Sequence, residues 1–175
     1  MRVTEDRLSR ALTCAGRWNA FARAAGAVFA VGLVMGPIAA SAAKLDDFAG
    51  YWTGGGKVQM TNGSAEQVKC VVTYKVAGEN LRQNVRCAGQ GFSFNGTAEL
   101  TIAQGGAVKG IWTENTYSAT GDVTGKTTEQ GFALAISGVT FTATMDVATS
   151  ACKQTLDIVP KGLEVSHISL GLGKC

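Results

Sequence analysis

The chain has 175 residues, 46% of them hydrophobic and 17% charged, with 23 glycines against 2 prolines. Those proportions exclude a collagen-like repeat, a coiled coil and a disordered acidic or basic tail, and the length fits one compact domain. The net charge of +3 belongs to one segment: residues 1–43 hold five arginines (Arg2, Arg7, Arg10, Arg17 and Arg23) and two acidic groups, and the remainder balances at eleven of each sign. The basic excess therefore gives no reason to expect a nucleic-acid partner.

From Ala24 to Ala43 the chain runs twenty residues without a charge, after the arginine-bearing stretch. A basic region, an apolar region and the small-residue stretch Ala39 to Ala43 form the pattern of a secretory leader, with Ala40-Ser41-Ala42 as the cleavage motif. The alternative is an uncleaved anchor, because about twenty apolar residues span a bilayer. This run is rich in alanine and glycine, is interrupted by Pro37 and ends in a cleavage site, which favours removal. Cys14 precedes the apolar run, the wrong side for a lipid anchor, and the absence of an arginine pair favours the general secretory route. The expected organisation is a cleaved signal peptide over 1–43 and a single domain over 44–175, periplasmic or secreted in a bacterium.

Four cysteines follow the leader: Cys70, Cys87, Cys152 and Cys175. An even number in an exported chain reads as a disulfide framework, with three possible connectivities. No C-x-x-C occurs and His167 is the sole histidine, so no metal cluster is indicated.

Beyond Lys44, alternation of apolar and polar residues recurs: Val68 to Val76, Phe92 to Ile102, Phe132 to Ile136, and Val139 to Val147. Period-two patterning places one face in a core and the other in water. Asn62-Gly63, Gly78-Glu79, Gly105-Gly106, Ser137-Gly138 and Lys161-Gly162 supply turn chemistry between these runs. The Asn62-Gly63-Ser64 and Asn95-Gly96-Thr97 sequons read as turn or bulge residues. Nine or ten antiparallel strands result, an all-β architecture that protects its edges by closing into an up-and-down barrel or by folding into a β-sandwich.

One hairpin is specified in more detail. A two-residue turn at Gly78-Glu79 sets Cys70 opposite Cys87, on a non-hydrogen-bonded pair where Cα atoms approach to about 4.5 Å, at the short end of disulfide geometry. The same register faces Val72 with Val85 and Val76 with Leu81 on the cysteine side, so bridge and hydrophobic pattern agree. The expected bridges are Cys70–Cys87 and, by elimination, Cys152–Cys175.

Gly50-Tyr51-Trp52-Thr53-Gly54, repeated in part by Gly110-Ile111-Trp112-Thr113, resembles the G-x-W opening of the calycin β-barrels, which include lipocalins, fatty-acid-binding proteins and avidins. The wider pattern also resembles a group of short exported proteobacterial proteins of unassigned function. It joins G-x-W-x-G-x-G, the strand Cys70 to Tyr74, Arg86-Cys87-Ala88 and the second G-x-W. The calycin likeness implies that Trp52 packs across a closed base and that any ligand enters at the opposite, open end.

Candidate functional residues follow. Trp112, Phe92, Phe94, Phe132 and Phe141 are the aromatic groups expected to line a ligand cavity, with core packing as the alternative role. Small inward positions such as Ala98, Gly121, Gly125 and Ala143 fit either a hollow interior or closely packed walls. Lys69, Lys75, Arg82 and Arg86 form a basic strip on the outer face of the cysteine hairpin, suited to an anionic envelope component or balanced by carboxylates from a neighbouring strand. No catalytic constellation is indicated: Ser166 and His167 are adjacent on a strand and point to opposite faces, and no G-x-S-x-G occurs. Glu99 and Glu114 share no evident cleft, and no pattern supports haem ligation by His167 or any other cofactor. The expected function is non-enzymatic binding of a small apolar ligand or an envelope partner. The alternatives are a structural or interaction module with a filled core and, third, a protease-inhibitor-like barrel.

Overall fold

The computed structural model describes residues 44–175; the leader, its cleavage motif and Cys14 lie outside the described residues. A single 3-10 turn, Leu45–Asp47, precedes ten strands. They are β1 Gly50–Met60, β2 Ala65–Ala77, β3 Asn80–Ala88, β4 Ser93–Ile102, β5 Ala107–Glu114, β6 Ala119–Thr127, β7 Gly131–Gly138, β8 Thr142–Ser150, β9 Lys153–Lys161 and β10 Val165–Gly173. Each pairs antiparallel with its sequence neighbours, and β1 pairs with β10, so the sheet closes on itself as an up-and-down barrel. Closure leaves no unpaired strand edge, and the β-sandwich alternative is set aside.

The alternation read from sequence is the inside–outside alternation of the barrel. On β2 the residues Val68, Cys70, Val72 and Tyr74 are buried while Lys69 and Lys75 are exposed, and β3 repeats the pattern with Leu81, Gln83, Val85 and Cys87 inward. The turn at Gly78, whose φ of 59° suits a residue without Cβ, sets the expected register: Cys70 faces Cys87, Val72 faces Val85 and Lys75 faces Arg82. Both cysteine pairs lie at disulfide distance, Cys70 with Cys87 at a Cα separation of 4.1 Å and Cys152 with Cys175 at 5.4 Å. The first crosses the inner wall; the second ties the C-terminus to the start of β9.

Closure depends on a close approach between β1 and β10. A Cβ on Gly54 would overlap the carbonyl oxygen of Gly171, and one on Gly56 that of Ser169. Both glycines alternate in phase with the buried Trp52 and Val58. One run departs from the sequence reading. The inward phase expected from Val139 begins only at Phe141, and the strand at Thr142, because the Gly138 N–H donates to the Phe141 carbonyl and closes a turn that puts Val139 at its tip, fully exposed.

Candidate ligand site at the open end of the barrel

The two ends differ. At the base, the 3-10 turn folds beneath the strands and inserts Phe48, which is fully buried against Tyr74 and Phe132 with ring centroids 5.7 and 4.8 Å away. Trp52, also fully buried, donates its indole N–H to the Phe48 carbonyl at 2.8 Å, and the Lys174 ammonium lies 4.8 Å from its ring centroid. Buried indole N–H groups require such a partner. Trp52 thus occupies the base, as the calycin likeness implies. At the other end no plug is present among the described residues, and Met60, Phe94, Ile158, Val165 and Ile168 remain half-buried around the mouth.

Between base and mouth lie two small voids. The upper, about 30 Å³, is lined by Phe92, Phe94 and Trp112 together with aliphatic side chains of β1, β2, β9 and β10. The lower, about 10 Å³, lies toward the base beside Tyr74 and Phe132. A single water needs about 10–15 Å³ by the same kind of measure, and drug-sized ligands occupy pockets of about 300–1,000 Å³. The interior is therefore mostly filled, and the small inward residues bring walls together more than they open a chamber.

The structure distributes the five aromatic candidates over three places. Phe92, Phe94 and Trp112 line the upper void, with Phe94 and Trp112 stacked at 6.0 Å between centroids. Phe141 packs edge-on against Trp112 at 5.7 Å and supports it. Phe132 belongs to the base with Phe48.

Three buried polar residues were not singled out from sequence. The Gln83 amide N–H donates to the Tyr74 hydroxyl at 2.9 Å, the Tyr74 hydroxyl donates to the Gln154 carbonyl oxygen at 3.0 Å, and the Gln154 amide N–H donates to Thr149 at 3.0 Å. Burial pushes the Tyr74 phenol well above its ordinary pKa, against the opposing effect of its bonds to Gln83 and Gln154, so it remains protonated. The signal was present: Gln83 interrupts the apolar phase of Leu81, Val85 and Cys87, and Gln154 that of Leu156. A polar residue in an inward phase marks an internal hydrogen-bond network.

Glu114 is likewise buried. Its carboxylate accepts the backbone N–H groups of Asn95 at 3.0 Å and Thr116 at 2.9 Å, and also that of Tyr117, fastening the β5–β6 turn at the mouth. Burial pushes its pKa up, but the bonds from Asn95, Thr116 and Tyr117 together outweigh this and hold the carboxyl below its ordinary range. Glu99 is far from this role: it faces outward and pairs with Arg82 at 3.4 Å, both side chains more than half exposed. That contact places a carboxylate beside one member of the basic strip, while Lys69, Lys75 and Arg86 share its outer face on β2 and β3.

On the outer face of β8 to β10, Asp146 is paired with Asp157, and Asp157 lies 2.7 Å from the ring Nε2 of His167. These residues border or adjoin a broad depression open to solvent. The Ser166 hydroxyl donates to the Gln59 carbonyl at 3.1 Å, so it does not join His167 and Asp157 in a triad. Among the described residues no group of three potential ligands is placed to hold a metal ion.

Ten closed antiparallel strands with a tryptophan-sealed base, and a mouth that no described residue plugs, define a calycin-like β-barrel fold. The chain matches no protein-family model and no curated protein. Among solved structures it is similar to an S-type phycobiliprotein lyase from Guillardia theta, with a TM-score of 0.52 and 15% identity over 73% of this chain and 87% of that one. At that identity the likeness concerns the fold alone.

Proposed function

We propose that the protein is an exported, non-enzymatic β-barrel that binds a small apolar molecule at its open end. The observation that carries this reading is the upper void: mostly apolar, lined by Phe92, Phe94 and Trp112, and bordered by Ile158 and Ile168 of the mouth. Among the described residues no carboxylate, histidine, lysine or free thiol lines either void, which favours binding over chemistry. The similar solved structure is described as a lyase, but an activity does not follow from a shared fold. Export is supported by the leader pattern of residues 1–43 and by two cysteine pairs at disulfide distance, an arrangement that persists in oxidising compartments.

The size of the voids favours a second reading, an envelope module with a filled core. In that case the strip of Lys69, Lys75, Arg82 and Arg86 is the contact surface for an anionic envelope component. Native mass spectrometry of the protein purified from its own compartment separates the two. A mass above that of the processed chain, lost on denaturation, is the expected result; a bare chain that self-associates would overturn the ligand reading in favour of the module.

A further inference from the structure

The two voids share a partition. Gln83, Trp112 and Met145 line both of them, so these three side chains separate the upper space from the lower. Met145 is the movable element, since an unbranched thioether repacks more readily than a β-branched or aromatic side chain. Gln83 is the polar one. It is 6% exposed, and its amide nitrogen is committed to the Tyr74 hydroxyl. Among the described residues its carbonyl oxygen has no hydrogen-bond partner in the protein, although it is not sealed off from the adjoining space. An amide oxygen that faces free space without a protein partner retains acceptor capacity for a donor on a ligand.

The surroundings restrict what that donor belongs to. Among the described residues no lysine, arginine or histidine lines either void, so a carboxylate entering here would be desolvated without a counter-charge from the barrel. Glu114 sits on the inward face of β5 two residues beyond Trp112, adding a negative charge on the mouth side. The Tyr74 hydroxyl has its proton committed to Gln154 and is not a free donor for an anion.

We propose that Gln83 Oε1 is the anchoring acceptor for a neutral ligand of about one ring, apolar except for a single hydroxyl or N–H donor, and that the site rejects carboxylates. The ligand spans both voids once Met145 swings aside, with its donor on Gln83 and its apolar body toward Phe94 and Trp112. This rests on the ligand reading above and names the chemistry of the same site.

The test uses phenol, toluene and benzoate, similar in size and differing in the head group, titrated at pH 7 into the disulfide-intact protein and followed by ligand-observed NMR. Phenol is expected to bind about tenfold more tightly than toluene, because a site built around a hydrogen bond disfavours the analogue lacking it. Benzoate is expected to bind at least about a hundredfold more weakly than phenol. Gln83→Met should weaken phenol about tenfold and leave toluene unchanged, and Met145→Ala should tighten both. Benzoate binding as well as phenol, or phenol no better than toluene in the wild-type protein, would overturn the anchor while leaving the ligand reading intact. Neither comparison requires a variant to fold. If none of the three binds, either to the wild-type protein or to folded Met145→Ala, the anchor and the ligand reading both fail.

Discussion

At the base of the barrel Phe48 and Trp52 are fully buried, hydrogen-bonded to one another and covered by Lys174; toward the mouth Phe94 stacks on Trp112, yet both remain half-buried where they line the upper void. The residue types are alike, and what differs is the cover. The 3-10 turn carries its own aromatic into the base and supplies a carbonyl for the indole N–H, whereas the mouth is bordered by turns, one of them held by the Glu114 carboxylate. An aromatic ring in a barrel therefore has a packing role where another segment closes over it, and is available to a ligand where none does.

The contrast is tested most strongly by truncation. Trp52→Ala should cost about 3–5 kcal/mol in urea unfolding, the range for removing a fully buried aromatic, and Phe94→Ala well under half as much; equal losses would erase the distinction between the ends. Replacing both Cys70 and Cys87 by serine removes a link spanning 17 residues across the inner wall and should lower stability by about 3 kcal/mol. A drop in melting temperature of the non-reduced protein, absent from the comparison under reducing conditions, would show it.

Tyr74→Phe tests the interior between the two ends. It leaves the Gln83 amide and the Gln154 carbonyl each short of a partner and should cost about 1–3 kcal/mol, more than an exposed tyrosine would. The smallest effect concerns the mouth. Glu114→Gln weakens charge-assisted bonds from three backbone N–H groups and should cost about 1–2 kcal/mol at neutral pH. Because the folded-state pKa of Glu114 is depressed, its contribution is present above the unfolded value near 4.5 and is lost as pH falls through the folded value. Wild-type stability should therefore decline below about pH 5 more steeply than that of Glu114→Gln. Parallel declines would remove the carboxylate from the account.

Much of the wall was legible because its signals are short-range. A two-residue turn at Gly78 and alternation on either side specify the β2–β3 register, and the register brings Cys70 to Cys87. Trp52 was legible as a base residue through the G-x-W resemblance. Val139 was misread because an apolar residue at a turn tip continues the local alternation in sequence while the backbone has already reversed. Of the aromatic candidates, Phe132 lines the lower void beside Phe48 while Phe92 and Phe94 line the upper one, a matter of height along the barrel that alternation does not record.

The all-β class, the inside–outside phase of the strands and the pairing of the cysteine hairpin follow from local residue order, since each depends on neighbours within a turn or two. Long-range packing sets the rest: β1 closes against β10 beside Gly54 and Gly56, Gln83, Tyr74 and Gln154 from three strands meet in one network, and the interior is nearly full. Closure and free volume are sums over all ten strands, and a void is what remains after every inward side chain has been placed.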